Sequence, residues 1–326
     1  MIAVQVILEF LTTIFIFPGF LFTLVASLLN QWYVRKVVAK MQNRVGPRFA
    51  GPFGILQPFY DFYKLMRKEE ITPNYGNARL FGLFMGIGIG SNIAILMFFP
   101  ISPFRFHGPF DIVVFAYLGL WTTIAIALAS LIFPNIFSSI GVSRLISLML
   151  VYEPTWILSV LTPSAIVSKY SSIPFSILET ITNFSVILSN PLYLVLTAIS
   201  FITAVASLQC RLGLQPFDIF EADTEIIAGA FTEFSGNKMA LSTLLHDIET
   251  FTGATLLVFI FLGGPFPFFL NTAEGVLLII LKFLAVIFLL TVIRASSARY
   301  RLDQAIGFFK YPLLLALAAL IVASIV

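Results

Sequence analysis

The sequence predicts an all-α integral membrane protein of about eight transmembrane helices, with an amphipathic helix in the first cytoplasmic loop. Three observations carry that prediction. Hydrophobic residues make up 59% of the 326 and charged residues only 11%, against about 45–50% and about 25% in soluble domains. Mean hydropathy is +0.99, so long segments need a solvent as apolar as themselves. The apolar residues also come in unbroken runs of around twenty, the length a helix needs to cross a bilayer, rather than the ten-residue alternating strands of a membrane barrel. A water-soluble globule is excluded. The lone cysteine, Cys210, forms no intrachain disulfide and no cysteine-ligated cluster. His107 and His246, the only histidines, stand far apart in sequence and leave little for a haem or transition-metal site. Electron chemistry is therefore expected in partners, with neither a cofactor nor a catalytic residue in this chain.

In chain order the spans are expected at 4–29, 80–101, 112–133, 145–167, 191–208, 242–262, 274–293 and 311–326. The first is read as a retained helix, since no basic flank precedes it, Glu9 lies within it and no small-residue cleavage pattern follows. The fourth carries Glu153 and Pro154, the sixth His246, Asp247 and Glu249, and the seventh Lys282, which is expected to pair with a partner subunit. Sixteen of the nineteen Lys and Arg fall in segments 30–79, 134–144, 209–241 and 294–310. The positive-inside rule puts those segments in the cytoplasm and both termini outside, in the cell (inner) membrane. Within 30–79, Ile55, Phe59, Phe62, Leu65 and Met66 recur at helical spacing with Asp61, Lys64 and Lys68 elsewhere, which predicts an amphipathic surface helix. Segment 168–190 is a weaker candidate of the same kind. Without linker, repeat or low-complexity tract, residues 1–326 read as a single polytopic domain.

Segment 209–241 breaks the charge pattern: Arg211 and Lys238 face Asp218, Glu221, Asp223, Glu225 and Glu233. Glu221 and Glu225 would share a helix face, set among Phe217, Ile219, Phe220, Ile226 and Phe231. Burial there would raise their pKa and suit them to a proton relay; the plainer reading is a solvated acidic face, or ion pairs with Arg211 and Lys238. Acids inside spans weaken that plainer reading, because a mid-span charge costs at least about 2.5–3.5 kcal/mol. Arg144 is expected to be the counter-charge of Glu153, and Arg299 and Arg301 to reach the acidic segment.

Three motifs resemble one family. Residues 42–58 (QNRVGPRFAGPFGILQP) with Asp61 and Lys64, 216–236 (PFDIFEADTEIIAGAFTEFSG), and 299–304 (RYRLDQ) are similar to the inner loops of the H subunit of respiratory complex I, also called NADH dehydrogenase subunit 1. They also resemble its counterparts in energy-converting membrane-bound hydrogenases and sulfur-reducing complexes. The resemblance implies a membrane anchor that couples electron transfer in a peripheral arm to proton or sodium pumping, with iron–sulfur clusters in partner subunits. By it, Glu153, Glu221, Asp223, Glu225, Glu233 and Arg144 are proton-path residues. Arg44, Gly46, Pro47, Gln57, Asp61, Lys64, Asp218, Arg299, Arg301 and Asp303 face the peripheral arm, where iron–sulfur and large catalytic-type subunits dock. Antiporter-like and small membrane subunits and lipids are the other partners, and no nucleic acid is implied. The complex I form commonly has Asn where Arg48 stands and Pro where Ala298 stands, which favours the ferredoxin-linked, hydrogenase-like branch. A quinone-reducing NADH dehydrogenase subunit is the first alternative, needing a tunnel between the first helix, first inner loop and sixth helix. A free-standing cation transporter is the second.

Overall fold

The computed structural model describes residues 2–73, 75–103 and 106–325; the side chains of 2–8 and of residue 223 are not among those described. Eight stretches are long and apolar enough to cross a membrane, and the described residues form helices and loops. α1 (Ile2–Phe15) and α2 (Phe20–Met41) share the first expected span. The break lies at Pro18, which has no N–H to continue the ladder, and at Gly19, where a Cβ would collide with the Ile14 carbonyl oxygen. α2 then overruns its expected end by a dozen residues, carrying Asn30, Gln31, Arg35, Lys36 and Lys40 out of the apolar zone. Polarity ends a membrane run without ending a helix.

α3 (Gln57–Arg67) is the amphipathic helix, opened by Pro58 in its first turn. α4 (Ala78–Leu96) and α5 (Asp111–Leu131) follow. α6 (Ile136–Ser168) begins nine residues before its expected start and runs straight through Pro154 and Pro163, so 134–144 is mostly helix rather than loop. In 168–190 the chain forms two short helices, α7 (Ile177–Thr182) and α8 (Phe184–Ser189), which bury Ile177, Ile181, Phe184 and Ile187 against the bundle. Asp111 fixes α7 by accepting from the Ile177 amide at 2.7 Å. α9 (Pro191–Arg211) ends in the acidic segment, where the α-helix around the acids is the single turn α10 (Asp223–Ile226). Glu221 precedes that turn, so Glu221 and Glu225 do not share a helix face as the spacing suggested.

α11 (Asn237–Phe261), α12 (Ala273–Ser296) and α13 (Leu302–Ile325) complete the bundle. α6 packs on α5, α9 and α13, while α11 touches α2, α4, α9 and α12. α11 is buried along nearly its whole length and α12 only along one flank. The segment after α3 is tied to the start of α11 by Lys238, a fully buried lysine. Its Nζ donates to the Ile71 carbonyl at 3.1 Å, pairs with Glu70 at 3.4 Å and lies 4.3 Å over the Phe133 ring. Ser235 adds a reciprocal pair of hydrogen bonds with the Ile71 backbone.

Lys282 is held from within the chain. Its Nζ donates to the carbonyls of Leu262, Gly264 and Phe266 at 2.7, 2.9 and 2.8 Å, closing the turn between α11 and α12. Carbonyls in a membrane have no water to fall back on. Lys282→Met is expected to destabilise this turn by about 1–3 kcal/mol, read as a lowered melting temperature of the detergent-purified assembly. An unchanged melting temperature would show the cap to be energetically idle.

Candidate functional site

The face bearing most basic residues, called here the basic face, carries three arrangements of charge at different depths. The deepest centres on Arg211, the last residue of α9, which is only 7% exposed. Its Nε donates to Glu249 of α11 at 2.8 Å, its Nη1 lies 3.8 Å from Glu153 of α6, and its Nη2 donates to the Gly119 carbonyl of α5. The guanidinium also lies 5.8 Å over the Trp156 ring. Gly119 is required for this approach, since a Cβ there would lie 2.5 Å from Nη2. Both Glu153 oxygens are buried and accept no hydrogen bond among the described residues. Two carboxyl groups share one guanidinium out of contact with water, so the cluster is neutral only when one of them holds a proton. An arrangement of this kind can store and release a hydrogen ion.

The second arrangement lines a cavity of about 330 Å³ between α2, α11, α12 and the 213–221 segment. Asp247 accepts from Gln31 of α2 at 2.8 Å, and His246 stands 3.9 Å from it. The His246 Nε2 lies 2.9 Å from the Leu212 carbonyl, which can only accept, so this nitrogen carries the proton. Arg35, Arg294, Asp218 and Glu221 also line the cavity. Arg35 reaches Asp61 of α3 at 2.5 Å, and Gln57 donates to the same carboxylate at 2.9 Å.

The third arrangement is at the surface. Glu225 is half exposed and held between Arg144 at 2.5 Å and Arg299 at 2.8 Å, with Arg299 also donating to Thr224. These two guanidinium hydrogen bonds hold the Glu225 carboxyl below the usual glutamate range, the reverse of the raised value expected from burial. Arg144 is thus the partner of Glu225 and not of Glu153. Glu233 is half-buried and accepts from Asn135 at 2.5 Å.

The expected proton-path residues therefore occupy separate places. Glu153 sits in the buried cluster, Glu221 on the cavity wall, and Glu225 with Arg144 in the surface clamp. Glu233 sits beside the start of α6, and the Asp223 side chain lies outside the described residues. Of the expected docking residues, Arg44, Lys64, Arg301 and Asp303 are exposed, while Gly46, Pro47, Gln57 and Asp61 are half-buried. Lys36 donates to the Pro47 carbonyl at 2.6 Å, pinning that loop to α2. Arg211, Glu249, Asp247, His246, Gln31 and Arg35 are absent from the site that the sequence predicts. Hydropathy puts Arg211 in a loop, and the signal that could have placed it is charge balance: Glu153 and Glu249 both lie within spans and need a buried cation.

These features define the class as a polytopic helical membrane protein with a buried carboxyl–guanidinium cluster beneath an acidic loop. A family model described as NADH dehydrogenase matches residues 13–324, and the chain belongs to that family. Among curated relatives, the H subunit of the NADH-quinone oxidoreductase of Dehalococcoides mccartyi strain CBDB1 is 30% identical over 319 residues, covering 93% of this chain and 83% of the relative. The corresponding protein of Brevibacillus brevis is 30% identical over 305 residues, covering 90% and 87%. Among solved structures, a chain of an archaeal membrane-bound sulfane sulfur reductase, a respiratory membrane complex, matches with a TM-score of 0.79 at 27% identity, covering 97% of this chain and 99% of that one. The chain is a membrane subunit of the complex I-like type.

A lowered glutamate pKa stabilises the clamp above the ordinary carboxylate value and ceases to do so as pH falls through the lowered one. Spin labels at Ile227 and Ala298 are therefore expected to keep a narrow distance distribution from neutral pH down to the ordinary glutamate value of about 4.3, and to broaden only below it. Glu225→Gln is expected to broaden the distribution throughout. A wild-type distribution that broadens near pH 6 would contradict the ion-pair assignment.

Proposed function

We propose that this chain is the membrane anchor and energy-coupling subunit of a multi-subunit ion-translocating oxidoreductase, with the sulfur-reducing or hydrogenase-like branch favoured. The observation that carries the reading is Arg211 shared between Glu153 and Glu249 in the bundle interior. A site holding one proton between two carboxyls responds to any nearby change of charge or geometry by shifting its proton occupancy. The acidic segment and the cavity beside α2 lie between that site and the basic face, so peripheral electron transfer would act through them. This is a linkage between two sites and requires two states of different proton affinity.

The loop preceding α3 supports docking of a peripheral iron–sulfur subunit. Phe49 is 96% exposed and Phe53 78% exposed, an apolar surface that a membrane protein's aqueous face does not keep uncovered. Basic-residue placement supports an orientation in the cell membrane with this face in the cytoplasm and both termini outside. In this reading residues 1–326 act as one polytopic domain, the iron–sulfur clusters reside in partners, and antiporter-like subunits receive the coupled change. Among the described residues no group of three His, Cys, Asp or Glu forms a metal site.

The second reading, a quinone-reducing subunit, is favoured by one observation: the 330 Å³ cavity lies between α2, α11 and α12, and its size falls within the range of small-molecule sites. The sulfane sulfur reductase match, which covers nearly the whole of both chains, supports the first reading.

In vesicles containing the purified complex, Glu153→Gln and Glu249→Gln are expected to cut ion uptake per electron at least about tenfold, equivalent to ~1.4 kcal/mol. Assembly and electron transfer to an artificial acceptor should persist. Unchanged ion uptake in both variants would remove the coupling role. Short-chain quinones are expected to leave turnover unaltered, and their reduction would install the second reading.

A further inference from the structure

α12 and α13 are neighbours in sequence but part company in space. α13 packs on α6 and α9, and α12 on α2 and α11. Between α9, α12 and α13 this leaves a lateral cleft of about 610 Å³, walled by Ile202, Val205, Phe288, Leu289 and Phe308 and bounded by Ser297 and Tyr300 where α12 gives way to α13. Among the described residues no charged side chain lines it. Tyr300 packs its ring 5.7 Å from Phe217 and 6.0 Å from Phe308, and tyrosine in such a position marks the headgroup level of a bilayer. The next residue, Arg301, is exposed, and its guanidinium makes no ion pair among the described residues, whereas Arg299 is engaged by Glu225.

Chemistry separates the possible occupants. A helix with its side chains is about 10–12 Å across, and the lining offers a partner helix no charged group to pair with. A hydrocarbon chain is far thinner and follows the length of the cleft. We propose that the cleft holds one acyl chain of an anionic phospholipid from the leaflet on the basic face. Its phosphate meets Arg301, and the Tyr300 hydroxyl lies at the same level. Packing between α12 and the α6–α9–α13 group is completed by this lipid rather than by side chains. A basic residue at a membrane surface favours anionic lipid by a factor of about five, which sets the selectivity expected of one arginine.

The test places a photoreactive benzoyl-phenylalanine at Phe288 in the intact complex, reconstituted in vesicles of equal phosphatidylglycerol and phosphatidylcholine, with adducts identified by mass spectrometry. Leu281, exposed on the same helix but away from the cleft, is the control position. The expected result is a lipid adduct at 288 with about fivefold preference for phosphatidylglycerol, no preference at 281, and loss of the preference in Arg301→Gln. A protein adduct at 288, equal labelling of the two lipids there, or a preference that survives Arg301→Gln would each overturn the assignment. If Arg301→Gln impairs assembly, the comparison of positions 288 and 281 in the otherwise unaltered chain decides.

Discussion

The bundle is organised around a cation that has nowhere else to go. Arg211 is buried where water cannot solvate it, and an isolated charge there would cost several kcal/mol. Its neutralisation recruits α6 through Glu153, α11 through Glu249 and α5 through the Gly119 carbonyl. Four helices distant in sequence are thereby registered to one another at a single depth. Gly119 has no side chain because the guanidinium occupies that volume, and Trp156 presents its ring face to the same group. The cluster is thus a structural tie across the bundle interior.

Charges nearer the basic face are arranged differently. Glu225 is bonded to two arginines in partial contact with water, a setting that keeps it ionised over the physiological range. It serves as a fastener between α6, the acidic segment and the stretch before α13, while the Glu153–Arg211–Glu249 group is sealed inside the bundle. The cavity beside α2 holds a further set of polar groups, with Asp247, His246, Glu221 and Arg35 on its walls. The difference between the two ion-pair groups is one of solvent access, not of residue type.

Much of the plan is legible in the sequence. All eight spans and the amphipathic α3 follow from runs of apolar residues and from helical periodicity, signals that are local by nature. The errors share a cause too. α2 and α6 extend past their apolar portions because Arg35, Lys36 and Arg144 are good helix residues once outside the hydrocarbon. The break at Pro18 and Gly19 is hidden inside an otherwise continuous apolar stretch. At the site, Glu153 stands out as a charge within a span, but its nearest cation in sequence is Arg144, nine residues away on the same helix, whereas its partner Arg211 comes from α9. Lys282 likewise suggests an outside partner in sequence, when three carbonyls of a nearby turn hold it. Pairings between distant segments depend on packing, which a linear reading does not contain.

Phe49 and Phe53 stand almost fully open to solvent on the basic face. A polypeptide displaying such residues is adhesive until something covers them. Copies made in excess of whatever covers that surface would expose an attractive patch for proteases, chaperones and one another. The cell therefore has reason to match the dosage of this chain to that of its covering component, and a shortfall of the latter would show itself as loss of the former.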